Sequence, residues 1–471
     1  MRITEKIVKA GSFWLPGDQK NEVPGEIEIL EGGKIKLAVL SVLGGAGSST
    51  SGIQVGRVLG SVEGFGYVTL EGCFYTTLSH TFGDSKSKSI LTVNRMFAGV
   101  GYADEIVQSS TLDFSVEGLD EWVGITGIKV ERDEDTYRDV KISYEPVPAI
   151  SVQLTDDIQL KILFSWALPG FPIQREAKIT QKISMQLMSS KEEKVSDLTA
   201  LAYKVVTFIC MGVDAVVSIE NPSITYVSPK DGQGEHRRHA VQVFYSSLPY
   251  SSVPPEVTWH ELVFGYKYLG DKFGERLKKW IDCFERIGPS IDLYFSFKTG
   301  VYRYLDAKFL ALAQGLESLH RRTRKGNVLP KAEYKAKRNK IVDSCPDEYK
   351  EWLALKLAYA NEFPLSHRMK ELVTPFSDIF SEGSPDGYEI FIRAIVDTRN
   401  YHTHFDESGK RFIARGVQLA SLVNRMELLL QLHLLYEMGF DAAELVKIFN
   451  KNFRMKQKLD RRFESTWVNF E

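Results

Sequence analysis

Between Arg399 and His404 the chain reads Arg-Asn-Tyr-His-Thr-His, which sets a guanidinium, an amide and two imidazoles within one short segment. Histidine titrates near neutral pH and can take or give a proton. Arginine stays charged and can donate two bonds to phosphate oxygens. Metal-free RNA cleavage needs this pair of groups: the ribose 2′-hydroxyl loses a proton, the leaving 5′-oxygen gains one, and negative charge builds on the phosphate between them. One copy brings one such arginine and one such histidine, so a symmetric homodimer would supply an acid, a base and two cations. The spacing alone is equally compatible with a solvated helix end, where Arg and His complement the C-terminal dipole.

The elements that position this segment follow from periodicity. Phe391, Ile392, Ile395 and Val396 recur at helical spacing just before it, on a helix expected to open at Ser384-Pro385, and the polar turn His404–Gly409 ends it. Other apolar stripes run through Leu305, Phe309, Leu312, Leu316 and Leu319, through Trp352, Leu355 and Tyr359, through Met369, Leu372 and Phe376, and through Leu422, Met426, Leu429 and Leu430. Antiparallel helices with short joints imply an all-α bundle over 266–471. Before that the period is two. Ile27 and Ile29, a Glu31-Gly32-Gly33 turn, then Ile35, Leu37 and Val39 read as a hairpin, with further alternation at 158–164 and 183–187. Residues 1–265 are therefore expected to form a mainly β, sandwich- or barrel-like domain. One helix packs on it, expected to start after Ser189-Ser190 with Lys-Glu-Glu in its first turn. The fold class is α+β in two domains.

The totals exclude several functions. A formal net charge of -2 over 471 residues gives no global attraction to polyanions, so any nucleic-acid site must be a local patch. The four scattered cysteines, Cys73, Cys210, Cys283 and Cys345, suggest neither a metal site nor disulfides and fit a reducing cytoplasm. No apolar run is long enough for a signal peptide or a membrane span; Val205–Ile219 is broken by Asp214. The basic run 320–340, beginning with Arg321, Arg322, Arg324 and Lys325, could track an RNA backbone or be a solvated face. Gly44–Gly52 lacks the Gly-Lys-Ser/Thr ending of a phosphate loop, and His236, His239 and His260 lack the support a metal would need. No metal or cofactor is expected. His433 falls on an apolar stripe as a core histidine, and Glu317 lies where it can hold an arginine across the bundle.

Arg399 to His404 also fits the R-x4-6-H signature of HEPN ribonucleases, with a polar residue, Asn400, after the arginine. The segments FLALAQGLESLHRR (309–322) and LSHRMKELVTPF (365–376) resemble the ApeA-type HEPN domain. GSFWLP (11–16), VPGEIEI (23–29), Val68-Thr69-Leu70 and Trp122 resemble the ApeA N-terminal domain, so the resemblance covers nearly the whole chain. It implies an anti-phage protein acting by abortive infection. Its HEPN half would cut RNA, usually tRNA, once a phage component is sensed, and its N-terminal domain would restrain it. Arg399 and His404 become the catalytic pair by this resemblance, with Asn400 and His402 in support. A different reading keeps the same fold: an inactive sensor or adaptor that dimerises through the bundle and binds a phage component. A β-domain that binds carbohydrate is a further alternative.

Overall fold

Alternating side chains leave a strand with one face to bury, and a sheet that closes on itself buries that face without leaving edges. The computed structural model describes residues 1–44, 54–78, 88–103, 105–132, 140–170, 175, 177–227, 237–324, 326–381, 387–404 and 412–459. The chain divides into two compact units, Met1–Lys278 and Lys279–Glu471, where the change of periodicity had set the division at 265.

In the first unit the described strands are β1 (Ile7–Trp14), β2 (Val23–Ile29), β3 (Ile35–Val39), β4 (Gln54–Val62), β5 (Gly66–Thr77), β6 (Ser89–Val93), β7 (Arg95–Ala98), β8 (Gln108–Val116), β9 (Ile128–Arg132), β10 (Val140–Tyr144), β11 (Ile150–Gln153), β12 (Ile158–Ala167), β13 (Thr180–Lys194), β14 (Ile219–Val227) and β15 (Arg238–Tyr245). The expected hairpin is β2–β3, with Ile29 opposite Ile35 across the Glu31–Gly33 turn. Strands β5, β4, β1, β2, β3 and β6 pair antiparallel in that order, and β6 pairs back on β5 to close a six-stranded barrel. Phe13, Ile27, Leu37, Val58 and Leu91 are wholly buried.

The sheet continues past the barrel because β5 has two partners on one side. Val68–Glu71 pair with β7, whereas Phe74–Thr77 pair with β6. Only Asn94 separates β6 from β7, and its N–H donates to Glu71 O at 3.0 Å. Gly72 sits opposite the split with φ +63°, and a Cβ there would lie 2.5 Å from Asn94 Nδ2, so both conformation and space require glycine. From β7 the sheet runs on through β15, β14, β8, β13, β12 and β11, while β9 and β10 pair apart from it.

Helix α1 (Leu119–Val123) brings Trp122 into the core. Helix α2 (Val195–Val213) packs on β8 and β13. Its expected start is corrected: Ser189-Ser190 and the glutamates belong to β13, whose Glu193 and Lys194 pair with Ser109 and Gln108 beyond a bulge, and the helix begins only after Lys194. Strand pairing outweighs a local capping preference here. The helix ends at Asp214 in the left-handed region, φ 57°. It is the one described helix long and apolar enough to cross a membrane, and 67% of that stretch is buried within the protein.

The helices that follow are α3 (Tyr266–Leu269), α4 (Phe273–Lys298), α5 (Leu305–Thr323), α6 (Lys331–Asp343), α7 (Asp347–Lys356), α8 (Leu365–Val373), α9 (Ser377–Phe380), α10 (Gly387–His404), α11 (Gly416–Glu437), α12 (Ala442–Lys451) and α13 (Phe453–Gln457). The unit boundary falls within α4. In the second unit α11 packs on α5, and α10 packs on α5, α8 and α11. Glu427 on α11 accepts from Lys298 at 2.8 Å and pairs with Lys458 at 2.9 Å, tying α4 and the end of α13 to the central helix. The Trp352 stripe is corrected. Helix α7 stops at Lys356, before Tyr359, and Trp352, Leu355 and Tyr359 are 59%, 69% and 76% exposed, because α7 packs on α6 through its other side. Ser384-Pro385 lies outside the described residues.

His433 is buried on α11, donates from Nε2 to Leu372 O at 2.8 Å and meets Phe376 edge-on. Burial pushes its pKa down from 6.5 to about 4. The unfolded chain therefore takes up the proton first: this site's contribution is intact above about pH 6.5 and is lost progressively down to about pH 4. Between pH 7 and pH 5 the helical unit should lose about 2 kcal/mol more in the wild type than in His433→Gln, read by urea unfolding. Equal losses in the two proteins would refute the burial argument.

Candidate active site in the helical unit

Helix α10 is amphipathic. Phe391, Ile392, Ala394, Ile395 and Thr398 are buried, with Phe391 stacked on Phe380 at 5.1 Å, and this face fixes how the helix presents its last turns. Beyond them come Arg399, Asn400, Tyr401, His402, Thr403 and, as the last helical residue, His404. Residues 405–411 are outside the described set, and the chain returns at Phe412. Thr398 anchors that return: its buried Oγ1 accepts from Ala414 N at 2.9 Å and donates to Phe412 O at 3.3 Å. Arg415 then lays its guanidinium over the Tyr401 ring, 5.2 Å from its centre.

The motif side chains separate into different surroundings. The Arg399 guanidinium is about one-third exposed, 3.9 Å from Glu317 on α5 and 3.4 Å from Asn400 Oδ1. His402 is tucked against Phe309 and Tyr401, with Nε2 3.8 Å from Asp306 Oδ1 at the start of α5. Positions 399 and 404 are five residues apart, about 140° round an ideal helix. On an ideal helix the two positions therefore do not share one side.

Glu317 holds Arg321 at 3.2 and 3.1 Å, and Arg321 also reaches Glu362 at 2.9 Å. Of the residues singled out for RNA, Arg321 thus has its charge already compensated. Arg322 donates to Arg286 O at 3.4 Å, Arg324 is exposed, and Lys325 lies outside the described residues.

The same chain of charges ends in a group that the spacing did not reveal. His320 is fully buried on α5. Arg368 on α8 donates to its Nδ1 at 3.2 Å and to Phe363 O at 3.0 Å. A guanidinium cannot accept, so Nδ1 must, and the ring proton sits on Nε2, which donates to Glu371 at 2.7 Å. The imidazole is neutral, in keeping with burial, which lowers its pKa. The hydrogen bond from His320 in turn lowers the Glu371 pKa. The only sign of this group in the sequence is that Arg368 follows helical spacing with Leu365, Met369 and Leu372.

The concavities lie elsewhere. One of about 470 Å³ opens between α8 and α10, lined by Ser366, His367, Lys370, Tyr388, Glu389 and Arg393 among others. The β unit carries one of about 590 Å³ with Trp122, Ile125, Trp259, Leu262 and Tyr268 in its walls. Among the described residues no group of three or more His, Cys, Asp or Glu could hold a metal ion.

The model of ApeA N-terminal domain 1 matches residues 9–280, and that of the Apea-like HEPN domain matches 310–444. The chain belongs to the ApeA family. The two matches fall on the β unit and the helical unit, and together they make this ApeA protein an anti-phage effector of HEPN type. No curated protein and no solved structure matches the chain. Arg399 to His404 lies inside the HEPN match, at the end of α10.

Thr398→Val removes both hydrogen bonds that anchor the chain after the motif without changing side-chain shape. It should lower stability by about 1–3 kcal/mol in denaturant unfolding, while Thr398→Ser, which keeps the hydroxyl, should lower it less. A Val variant as stable as wild type would show that the anchor does not hold this segment.

Proposed function

We propose that this ApeA protein is a metal-independent endoribonuclease, with tRNA its substrate, that disables the infected cell when its β unit senses a phage component in the cytoplasm. The reading is carried by Arg399 and His404 at the end of α10 within an Apea-like HEPN domain. His404 takes the proton of a ribose 2′-hydroxyl. The 2′-oxygen attacks the adjacent phosphorus, the P–O5′ bond breaks, and the 5′-oxygen leaves with a proton from a second histidine. The products are a 2′,3′-cyclic phosphate and a 5′-hydroxyl, and water is not consumed in this step. Arg399 donates to the non-bridging oxygens as charge builds on them. Asn400, 3.4 Å from the Arg399 guanidinium, orients it, and His402 supports the same turn.

The 140° between positions 399 and 404 favours a composite site, in which one protomer's arginine and its partner's histidine meet across a two-fold axis. A homodimer is then the smallest active form. RNA cleavage that ran unchecked would harm the cell that makes the protein, and the β unit is where we place the restraint.

Incubated with total tRNA and phage lysate in EDTA, wild type should yield 2′,3′-cyclic phosphate ends. Arg399→Ala and His404→Ala should each be slower by about a hundredfold or more while remaining dimeric in solution. Undiminished cleavage by both variants would place the chemistry elsewhere, and the absence of cleavage by wild type, with and without phage lysate, would favour an adaptor that only dimerises and binds.

A further inference from the structure

The concavity between α8 and α10 brings two cations from different helices to one wall. Several cations of the helical unit stand against carboxylates, among them Arg286 with Glu437, Lys298 with Glu427, and Arg321 with Glu317 and Glu362. At this concavity Lys370 and Arg393 line the wall, and among the described residues neither is within an ion-pair distance of a carboxylate. Arg393 has the Phe412 ring at 5.9 Å. Glu389, one turn before Arg393 on α10, also lines the cavity without forming that pair. His367 stacks on Phe363 at 4.2 Å, which fixes its ring at the rim, and its Nε2 lies 3.3 Å from Glu371. The hydroxyls of Ser366 and Tyr388 complete a lining with more donors than acceptors.

The position on α10 specifies which anion. Arg393 precedes Asn400 by seven residues and position 404 by eleven, close to two and three whole turns, so the three positions share one side of the helix over a rise of about 16 Å. A ligand in the concavity is therefore in line with the end of the motif, at the distance of a few nucleotides of an extended strand. A repeating polyanion meets both places; an isolated carboxylate meets only one.

We propose that this concavity is a phosphate subsite for the RNA strand: Lys370 and Arg393 hold a phosphodiester a few nucleotides from the bond that is cut. The inference rests on the ribonuclease reading above for the identity of the polyanion. The pair is a binding device and takes no part in proton transfer. Arg393 supplies a planar fork for two phosphate oxygens and Lys370 a point charge beside it. His367 and the hydroxyls offer neutral contacts to the sugar–phosphate chain.

The test uses full-length His404→Ala protein, which leaves RNA uncut, and fluorescently labelled tRNA, with anisotropy followed from about 50 to about 200 mM salt. Adding Lys370→Ala and Arg393→Ala should weaken binding about tenfold and reduce the slope of log K against log salt by about one to two. The charge-preserving pair Lys370→Arg and Arg393→Lys should keep the slope. Unchanged affinity and slope in the alanine pair, or no binding of tRNA by the parent, would overturn the proposal. The catalytic reading is tested separately. Cleavage at the wild-type kcat/KM by the alanine pair in a chain that keeps His404 would leave the nuclease standing without this subsite. Binding that depends on the pair in a protein whose wild type never cuts would leave the subsite standing without the nuclease.

Discussion

A neutral imidazole sealed between a guanidinium and a carboxylate holds the helical unit in register. His320 accepts from Arg368 and donates to Glu371, so each partner is satisfied only while α5 and α8 keep their present rotation and height. A buried guanidinium without such partners would cost several kcal/mol, so slippage between these helices is penalised far more steeply than slippage between apolar faces. The consequences reach in both directions. From α5, Glu317 extends the charges towards Arg399; from α8, His367 and Lys370 form one wall of the concavity. Helix α10 packs on both, so the motif and the cationic pocket share one support.

Charge compensation is the second organising feature. A chain with nearly equal numbers of acids and bases binds a polyanion only where pairing fails locally. Arg321, in the basic run that composition alone marks for RNA, has two carboxylates within reach. Lys370 and Arg393 have none, among the described residues. The proposed phosphate subsite thus adds the face that α8 and α10 share to the run after α5 as a candidate RNA track.

In the β unit the controlling constraint is steric. Gly72 and Asn94 let β5 pair with both β6 and β7, so the barrel and the open flank form one continuous sheet. The flank then offers β8 and β13 as the floor for α2, whose apolarity, sufficient for a membrane, is largely used up inside the protein.

Much of this was legible in order. The change of period from two to helical spacing separates the β and α halves, because side-chain alternation and the 3.6-residue turn are properties of the backbone and need no tertiary context. The β2–β3 hairpin, the α5, α10 and α11 stripes, the buried His433 and the Arg399–His404 pattern follow from such local rules. Closure of the barrel through β5, the extension of β13 over Ser189–Lys194 and the exposure of Trp352, Leu355 and Tyr359 do not, because each depends on which distant strand or helix competes for the same surface. The same holds at the site. Residue type and spacing nominate Arg399 and His404, whereas the burial of Arg368 against His320, the Thr398 anchor and the meeting of Lys370 and Arg393 at one concavity exist only once α5, α8 and α10 are packed, since pairing and desolvation are relations between elements rather than properties of a segment.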